Sequence, residues 1–156
     1  MGDAIEARVA ALVPADGRGY HPAMADLSHQ HAQLVLTAAQ STLERDGLGA
    51  AVAIVDHHGE LVAFVRTDGC PLPSIANAIN KAYTAARERR PSREIGDASR
   101  DDGFPMTNIG DLRYTGWGGG VPLVVDGEVV GAVCVSGLPE PDDMRIAADA
   151  AAVLAR

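Results

Sequence analysis

One stretch of the chain decides the fold, and it reads GGGVPLVVDGEVVGAVCVSG from Gly118 to Gly137. Two valine-rich runs flank Asp126 and Gly127, a pair favoured in tight two-residue turns between antiparallel strands. The run from Gly131 to Val135 carries only small or β-branched side chains, so we expect this strand to be covered on both faces. The stretch therefore predicts a β-hairpin at the centre of a sheet, preceded by a glycine loop that suits a small ligand.

Composition and charge narrow the class of protein. The length of 156 residues predicts one globular domain, and a net charge of −8 argues against nucleic acid or an anionic membrane as partner. No run reaches the roughly 18 apolar residues of a membrane helix, and residues 1–13 show no signal peptide. The two cysteines lack metal-type spacing and are interpreted as free thiols. Together these features predict a cytoplasmic protein.

Turn and cap signals divide the chain into helices and strands. We expect a helix at Ala4–Val13 and a linker to residue 22, followed by a single domain over residues 23–156. This order favours an α+β fold, with about five mainly antiparallel strands and helices on the faces of the sheet. The predicted elements of the domain are a helix from Ser28 to Asp46 with Leu34, Ala38 and Leu43 on its apolar face, strands 50–56 and 60–66, a helix from Ser74 as cap to Arg90, a helical turn 92–98, a strand 113–117, the hairpin, and a helix from Pro141 to Ala155.

A polar stripe follows the predicted helix from Ser74 to Arg90 and includes Lys81, the only lysine of the chain. The stripe is either a solvated helix face or a surface for a ligand, since the small residues Ala78 and Ala85 border it. In the second case Lys81 could pair with a carboxylate, act as a base, or form an imine. The stripe consists of Ser74, Asn77, Lys81, Thr84 and Glu88.

A second cluster of functional groups, containing Arg113, Tyr114 and Trp117, lies just before the glycine loop. It predicts either a surface on which a ligand stacks or a strand edge that packs on a neighbouring helix. The histidines offer no metal motif, because His29 and His31 point to different sides of a helix. We therefore assign no metal site.

Several short pieces of the chain match one family in both order and spacing. They are 52–56 with Gly59 and 61–63, Arg66 with 68–69, 81–85, 90–92, 119–123, Gly127, 130–132, 135–137, and Asp142 or Asp143 before the last helix. With these pieces the chain resembles the GlcG/HbpS-like (DUF336) family of haem-binding and haem-degrading proteins, which includes the C-terminal domain of PduO-type proteins. The resemblance covers the chain from about Ser28 onward.

The resemblance implies a profilin-like fold, a homo-oligomer, and a ligand pocket near a subunit contact. The chain departs from the family pattern at Cys134, where a glycine is usual, and over residues 100–117, which do not match. The family's motif residues fall on Lys81, Thr84, Gly119, Gly120, Val121 and Pro122.

Two functions remain open at this point. The first is a protein that binds a small molecule, with haem or a related planar cofactor as the possible ligand. Thr84 or a histidine would then ligate the iron, and Trp117 would contact the ligand. The cations for its propionates would be Arg66, Lys81 and Arg113.

The alternative function is a metal-independent isomerase, cyclase or lyase. In that case Lys81, Arg113 and Tyr114 would supply the acid–base groups and an anion clamp.

Overall fold

The computed structural model describes residues 26–155, so the predicted helix Ala4–Val13 and its linker lie outside the described residues. Two strand pairs, separated and flanked by helices, make up an α+β fold in this part of the chain, which confirms the predicted class. The elements are α1 (His29–Asp46), β1 (Ala51–Asp56), β2 (Leu61–Arg66), α2 (Ser74–Glu88), α3 (Ser92–Asp101), a 3₁₀ turn (Met106–Ile109), β3 (Gly120–Val125), β4 (Glu128–Ser136), α4 (Glu140–Ala151) and a second 3₁₀ turn (Ala152–Leu154).

The sheet is antiparallel, with the strand order β2-β1-β4-β3. The predicted hairpin is confirmed as β3 and β4, and its turn residues Asp126 and Gly127 have φ values of 51° and 81°. Two successive positive φ angles are those of a type I′ turn, whose twist matches that of the flanking strands. Strand β4 lies at the centre and pairs with β1 from Ser136, opposite Ala51, to Gly131, opposite Asp56.

Helices cover both faces of the sheet, because alternate residues of the central strands are apolar on each side. Val52 and Val133 belong to a core that α1 and α4 complete on one face. Ala53 and Cys134 belong to a second core, formed with the alanines of α2 on the other face. The small side chains of this second core let α2 lie close to the sheet, and α2 positions the candidate site.

Among the described residues the sheet has four strands, so the prediction of about five is wrong by one. The segment predicted as a strand at Arg113–Trp117 is irregular. Its backbone groups hydrogen-bond to side chains from helices rather than to a neighbouring strand. Thr84 Oγ1 accepts from the N–H of Thr115 at 3.0 Å, and Ser92 Oγ donates to the carbonyl of Trp117 at 2.7 Å.

The ends of α1 are as predicted, and of its predicted apolar face Leu43 is buried and Ala38 packs against the core, whereas Leu34 does neither. Ser28 Oγ caps the helix by accepting from His31 N at 3.1 Å, and Gly47 ends it with a φ of 66°. Leu34 is 59% exposed, because the buried face begins two residues earlier, at Ala32, and continues from there at spacings of three and four. The buried face consists of Ala32, Val35, Leu36, Ala39 and Leu43.

Three further boundaries differ from the predictions. Ser74 is not the cap of α2, because Pro73 occupies that position and Ser74 is the first helical residue. Helix α3 extends to Asp101 rather than forming a single turn. Helix α4 begins at Glu140 and ends at Ala151, before a short 3₁₀ turn. The first difference leaves the Ser74 hydroxyl without a capping hydrogen bond at the helix end.

Candidate functional site

A polar pocket of about 360 Å³ lies where β4 ends, between the first turns of α2 and α4. We call it the Lys81 pocket, after the residue at the centre of its hydrogen bonds. Most of its lining side chains are polar or charged, and Trp117, 62% exposed, lines its mouth. The lining residues are Ser74, Asn77, Lys81, Trp117, Gly118, Ser136, Gly137, Leu138, Glu140 and Asp143.

Lys81 is buried, and three acceptors surround its ammonium group. Nζ donates to the carbonyl of Gly118 at 2.8 Å, to Asp143 Oδ2 at 3.1 Å and to the carbonyl of Val135 at 3.4 Å. An ammonium has three N–H donors, so these contacts use all of them. We call this arrangement the Lys81 clamp, and it joins α2 to the glycine loop, to β4 and to α4.

Asp143 is the anionic partner in the clamp and is itself held by the backbone. Its Oδ1 accepts from the N–H of Leu138 at 3.1 Å, and Oδ2 accepts from the N–H of Gly137 at 3.4 Å. Burial raises the pKa of Asp143, while the ammonium of Lys81 and the two N–H groups oppose that rise. The pair therefore fixes the turn between β4 and α4 as one wall of the pocket.

Glu140 closes the opposite side of the pocket. Its Oε1 accepts from the N–H of Gly118 at 2.5 Å, and its Oε2 accepts from Arg93 of α3 at 2.6 Å. The N–H of Gly118 lowers the pKa of Glu140, and Arg93 lowers it further. Both carboxylates of the pocket thus have cationic partners within the protein.

The remaining polar side chains of the pocket are neutral and have no hydrogen-bond partner among residues 26–155. Ser74 and Ser136 are only 6% and 3% exposed, and Asn77 is half-buried. Ser136 points to the α2 side of the sheet, since it follows Cys134 at the strand repeat of two. These side chains line the open space of the pocket without a contact to give up, so they are the groups available to a ligand.

The polar stripe of α2 is therefore buried for much of its length, which excludes the solvated helix face for Ser74, Lys81 and Thr84. Thr84 is fully engaged, since its hydroxyl donates to the carbonyl of Asn80 and accepts from Thr115 N. Its position is structural in this arrangement, as it holds the irregular segment against α2.

Two residues of the glycine loop, Gly119 and Gly120, pack against the backbone of β4 and α2 rather than opening toward the pocket. A Cβ on Gly119, whose φ is 122°, would lie 2.5 Å from the carbonyl oxygen of Val135. A Cβ on Gly120 would lie 2.3 Å from the carbonyl oxygen of Lys81. Of the loop glycines within the described chain, Gly118 lines the pocket, whereas Gly119 and Gly120 allow the close approach of the backbone.

Two other predicted ligand residues, Val121 and Pro122, follow the loop on the edge strand β3, outside the Lys81 pocket. Val121 packs against the core formed by α1 and α4. Cys134, which departs from the family pattern, is fully buried against α2, and burial raises the pKa of its thiol to about 12. It is therefore a core residue rather than a reactive thiol.

Arg113 and Tyr114 belong to a separate cluster around Tyr83. Arg113 donates to Tyr83 Oη at 2.8 Å and to Asp111 Oδ2 at 2.9 Å, and Tyr83 Oη donates to Asp111 at 2.6 Å. The ring of Tyr114 meets that of Tyr83 edge-on at 5.8 Å. Neither Arg113 nor Tyr114 lines the Lys81 pocket, so the three predicted catalytic residues do not share it.

Arg66 lies apart from both groups, in a concavity of about 470 Å³ beside the end of α1. Of the predicted site residues, the structure thus brings together Lys81 and Trp117 in one pocket. Ser74, Ser136, Glu140 and Asp143 were not predicted as site residues. Ser74 and Asn77 lay on the polar stripe, but Ser136, Glu140 and Asp143 join the pocket only through the pairing of β4 and the start of α4.

A second concavity, of about 730 Å³, lies between α1 and β2, and we call it the α1–β2 groove. Its walls are largely apolar, with Leu34 and Val62 59% and 37% exposed. His29 lies on its rim. The lining residues are His29, Gln30, Gln33, Leu34, Thr37, Ala38, Ser41, Val62 and Ala63.

The other histidines of the described chain lie elsewhere. His31 is exposed on α1, and His57 lies in the β1–β2 turn with Nδ1 3.5 Å from Asp26 Oδ1. Residues 26–155 contain no group of three or more His, Cys, Asp or Glu side chains placed to hold a metal ion. No helix in the same range combines the length and apolar character needed to cross a bilayer.

Known proteins share both the sequence and the fold. GlcG of Escherichia coli K12 is 35% identical over 136 residues, which cover 83% of this chain and 96% of GlcG. HbpS, known from Streptomyces reticuli, superposes with a TM-score of 0.77 at 29% identity, covering 88% of this chain and 96% of HbpS. PduOC, crystallised in complex with haem, superposes with a TM-score of 0.76 at 27% identity, covering 82% and 94%.

The family comparison gives the same result. The model of the family described as haem degrading protein HbpS-like matches residues 27–152, which is most of the chain. This range includes the sheet, the Lys81 clamp and the α1–β2 groove. The chain therefore belongs to the HbpS-like family, as its sequence motifs predicted.

Proposed function

We propose that the protein binds a small polar molecule in the Lys81 pocket. The observation that carries this proposal is the pair of hydroxyls on Ser74 and Ser136, which line the pocket and have no hydrogen-bond partner within residues 26–155. These hydroxyls face the open space of the pocket, so a bound molecule with matching groups can hydrogen-bond them without displacing a contact within the protein. The volume of about 360 Å³ suits a small metabolite.

A thermal-shift screen of small polar metabolites would test this function. We expect compounds that raise the Tm of the wild type and of Ser41→Ala, but not of the double variant Ser74→Ala, Ser136→Ala, since a ligand stabilises only where it binds. Ser41 is the matched control, because it lies on α1 and lines the other concavity. Equal shifts in the double variant, or no shift with any compound, would contradict the proposal.

Haem does not fit the Lys81 pocket. Its lining residues include no histidine, cysteine, methionine or tyrosine, and the Lys81 ammonium is committed to three acceptors. A haem site needs an axial ligand and apolar walls for the macrocycle. We therefore assign no haem-binding role to this pocket.

The α1–β2 groove does fit haem, and this supports haem binding as a second candidate function. His29 on its rim supplies an imidazole, Leu34 and Val62 supply apolar walls, and Gln30 and Gln33 can hydrogen-bond the propionates. The family description and the haem complex of PduOC favour the same ligand. Bound haem would bring iron with its redox and ligand-exchange chemistry to this groove.

Hemin titration followed at the Soret band would test the second candidate. We expect His29→Ala to lose the spectral shift of the wild type and His31→Ala to keep it. His31 is the matched control, since it is exposed on the same helix but does not line the groove. An unchanged shift in His29→Ala, or an equal loss in both variants, would exclude His29 as the iron ligand.

The metal-independent enzyme, the homo-oligomer and the cytoplasmic location stay predictions. As built, the Lys81 clamp leaves no free lone pair or unshared N–H on Nζ for acid–base chemistry, so an enzyme would have to break a clamp contact during turnover. Sedimentation equilibrium would test the prediction of an oligomer.

A further inference from the structure

We infer that the segment Ala4–Val13 docks as a helix in the α1–β2 groove of its own chain and covers the apolar walls of that groove. The segment precedes the described residues, which begin at Asp26. The inference goes beyond the proposed function, because it assigns the groove an occupant from the chain itself. It follows from the character of the groove, the sequence pattern of the segment, and the length of chain that joins them.

The α1–β2 groove presents apolar and neutral side chains to a partner. Its lining among the described residues contains no lysine, arginine, aspartate or glutamate. Leu34 and Val62 leave 59% and 37% of their surface exposed there. The lining residues of α1 run from His29 to Ser41, a rise of roughly 18 Å along the helix. Large apolar side chains gathered in a concave surface favour an occupant with an apolar face.

The segment has such a face, of matching length. It reads AIEARVAALV, and Ile5, Val9 and Leu12 recur at spacings of four and three, which places them on one side of a helix. Ala7 and Ala11 fall on the opposite side. Ten helical residues extend roughly 15 Å, which is within the length of the groove. The segment therefore offers a stripe of large apolar side chains that the groove can receive along its length.

The described chain begins close to the groove. Asp26 lies against the β1–β2 turn, with Oδ1 3.5 Å from Nδ1 of His57, and Leu27 is buried in the core. His29, two residues after Leu27, already lines the groove. Residues 14–25 join this point to the segment, and twelve extended residues reach up to about 40 Å. The connection is therefore long enough for the segment to lie along the groove in either direction.

The short connection favours the chain's own segment over that of a second copy. A flexible linker of this length holds the segment near the groove at an effective concentration in the millimolar range. The segment of a second copy, at about 1 µM protein, competes with a local concentration roughly a thousandfold higher. The same contact is therefore made within one chain before it is made between two.

The docking equilibrium is expected to be modest. A helix of this length is marginal in water, so the apolar contacts in the groove also have to offset the ordering of its backbone. We expect about three docked molecules for each undocked one, which leaves the groove open for about a quarter of the time. Any group in the groove should therefore react about fourfold more slowly than it does when the segment is released.

Alkylation of a cysteine placed in the groove measures this difference. Thr37→Cys introduces a thiol into the lining, and Cys70→Ser removes the partly exposed native thiol. The remaining cysteine, Cys134, is fully buried. We expect iodoacetamide to modify the introduced thiol about fourfold faster once Ile5→Gln and Val9→Gln are added, because their polar side chains release the segment. Mass spectrometry over time gives the rates.

Two controls separate docking from a general change in reactivity. Ala7→Gln with Ala11→Gln adds the same side chains to the opposite side of the segment and should leave the rate within about 1.5-fold. A thiol introduced as Leu112→Cys, at a position that is 95% exposed elsewhere, should react equally in all three backgrounds. Circular dichroism would establish that the variants fold.

Two results would overturn the inference. The first is an equal alkylation rate in the variant with Ile5→Gln and Val9→Gln and in the variant with Ala7→Gln and Ala11→Gln. The second is protection of the thiol that increases between about 1 and 100 µM protein, since a second copy would then cover the groove.

Hemin titration relates the contact to the second candidate function, and this step alone rests on that function. If haem binds in the same groove, the variant with Ile5→Gln and Val9→Gln should bind hemin about fourfold more tightly, because the segment no longer competes. Faster alkylation with an unchanged hemin affinity would support docking and exclude the groove as the haem site. The failure of the inference and the failure of the haem assignment are therefore distinguishable.

Discussion

The Lys81 pocket and the α1–β2 groove are two concavities of the same domain with opposite chemistry. In the pocket, the charged groups are paired inside the protein and neutral hydroxyls are left over. In the groove, apolar side chains such as Leu34 are left over at the surface. The larger concavity is the more apolar of the two. The comparison teaches that a site's ligand is indicated by the groups the fold leaves unsatisfied, rather than by volume.

Loss of Lys81 should have the largest effect, because the pocket is built on the clamp. Lys81→Met leaves Asp143 buried without its cation, and we expect it to lower the free energy of unfolding by about 3–5 kcal/mol. Urea denaturation measures this change. The control is Arg145→Met, whose contacts to Asp142 and Asp149 are exposed, at 3.6 and 3.8 Å, and should contribute less than about 1 kcal/mol. Equal losses in the two variants would contradict the clamp.

A methyl group on the glycine loop should have the next largest effect. In Gly120→Ala the new Cβ would lie 2.3 Å from the backbone oxygen of Lys81, which cannot move without shifting α2. We expect a loss of about 3 kcal/mol in urea denaturation, together with a changed Trp117 emission. Gly103→Ala meets nothing within 4 Å, has a φ of 63°, and should cost only about 1 kcal/mol. A cost for Gly120→Ala no greater than the control would show that the loop is not closely packed.

Lowering the pH should decrease the free energy of unfolding, because Glu140 becomes protonated. Its folded-state pKa is lowered by the N–H of Gly118 and by Arg93, so the carboxylate stabilises the fold above its unfolded pKa. That contribution is lost as the pH falls through the folded pKa. We expect the wild type to lose stability more steeply than Glu140→Gln between roughly pH 5 and pH 3.

Chemical denaturation at several pH values gives this difference, and the contribution of Asp143 cancels because both proteins contain it. Glu128→Gln, at the exposed start of β4, should follow the wild-type curve. If the free energy of unfolding has the same pH dependence in the wild type and in Glu140→Gln, Glu140 does not contribute to acid destabilisation.

The groove should show the smallest effect on stability and a specific effect on binding. Leu34→Gln replaces an exposed side chain, so we expect a change in unfolding free energy within about 0.5 kcal/mol. Hemin binding at the Soret band should weaken, because an apolar wall is lost. Leu112→Gln, which is 95% exposed elsewhere, should leave hemin binding unchanged. A stability loss above 1.4 kcal/mol, a tenfold change in the folding equilibrium, would place Leu34 in the core instead.

The sequence was sufficient to predict features with local causes. The hairpin follows from the pair Asp126 and Gly127, and the ends of α1 follow from Ser28 and Gly47. The burial of β4 follows from its lack of a polar face. Each of these depends on the geometry of a few neighbouring residues.

The features that the sequence could not provide depend on distant contacts. The segment predicted as a strand at Arg113–Trp117 is irregular because Thr84 and Ser92, from two helices, satisfy its backbone. The sequence identified one residue of the central ion pair of the pocket, Lys81, on its helix. Its partner Asp143 is 62 residues away in sequence, so only the fold brings the pair together.

The contact between Gly96 of α3 and Gly116 has a consequence for the evolution of this chain. A Cβ on either residue would lie within 2.2–2.4 Å of the other's backbone, so neither position can accept a side chain while the contact exists. The two positions should therefore vary together: relatives that keep this path of the backbone should have glycine at both, and relatives that lose one glycine should lose the other. Such covariation would mark which family members retain the same approach to the mouth of the pocket.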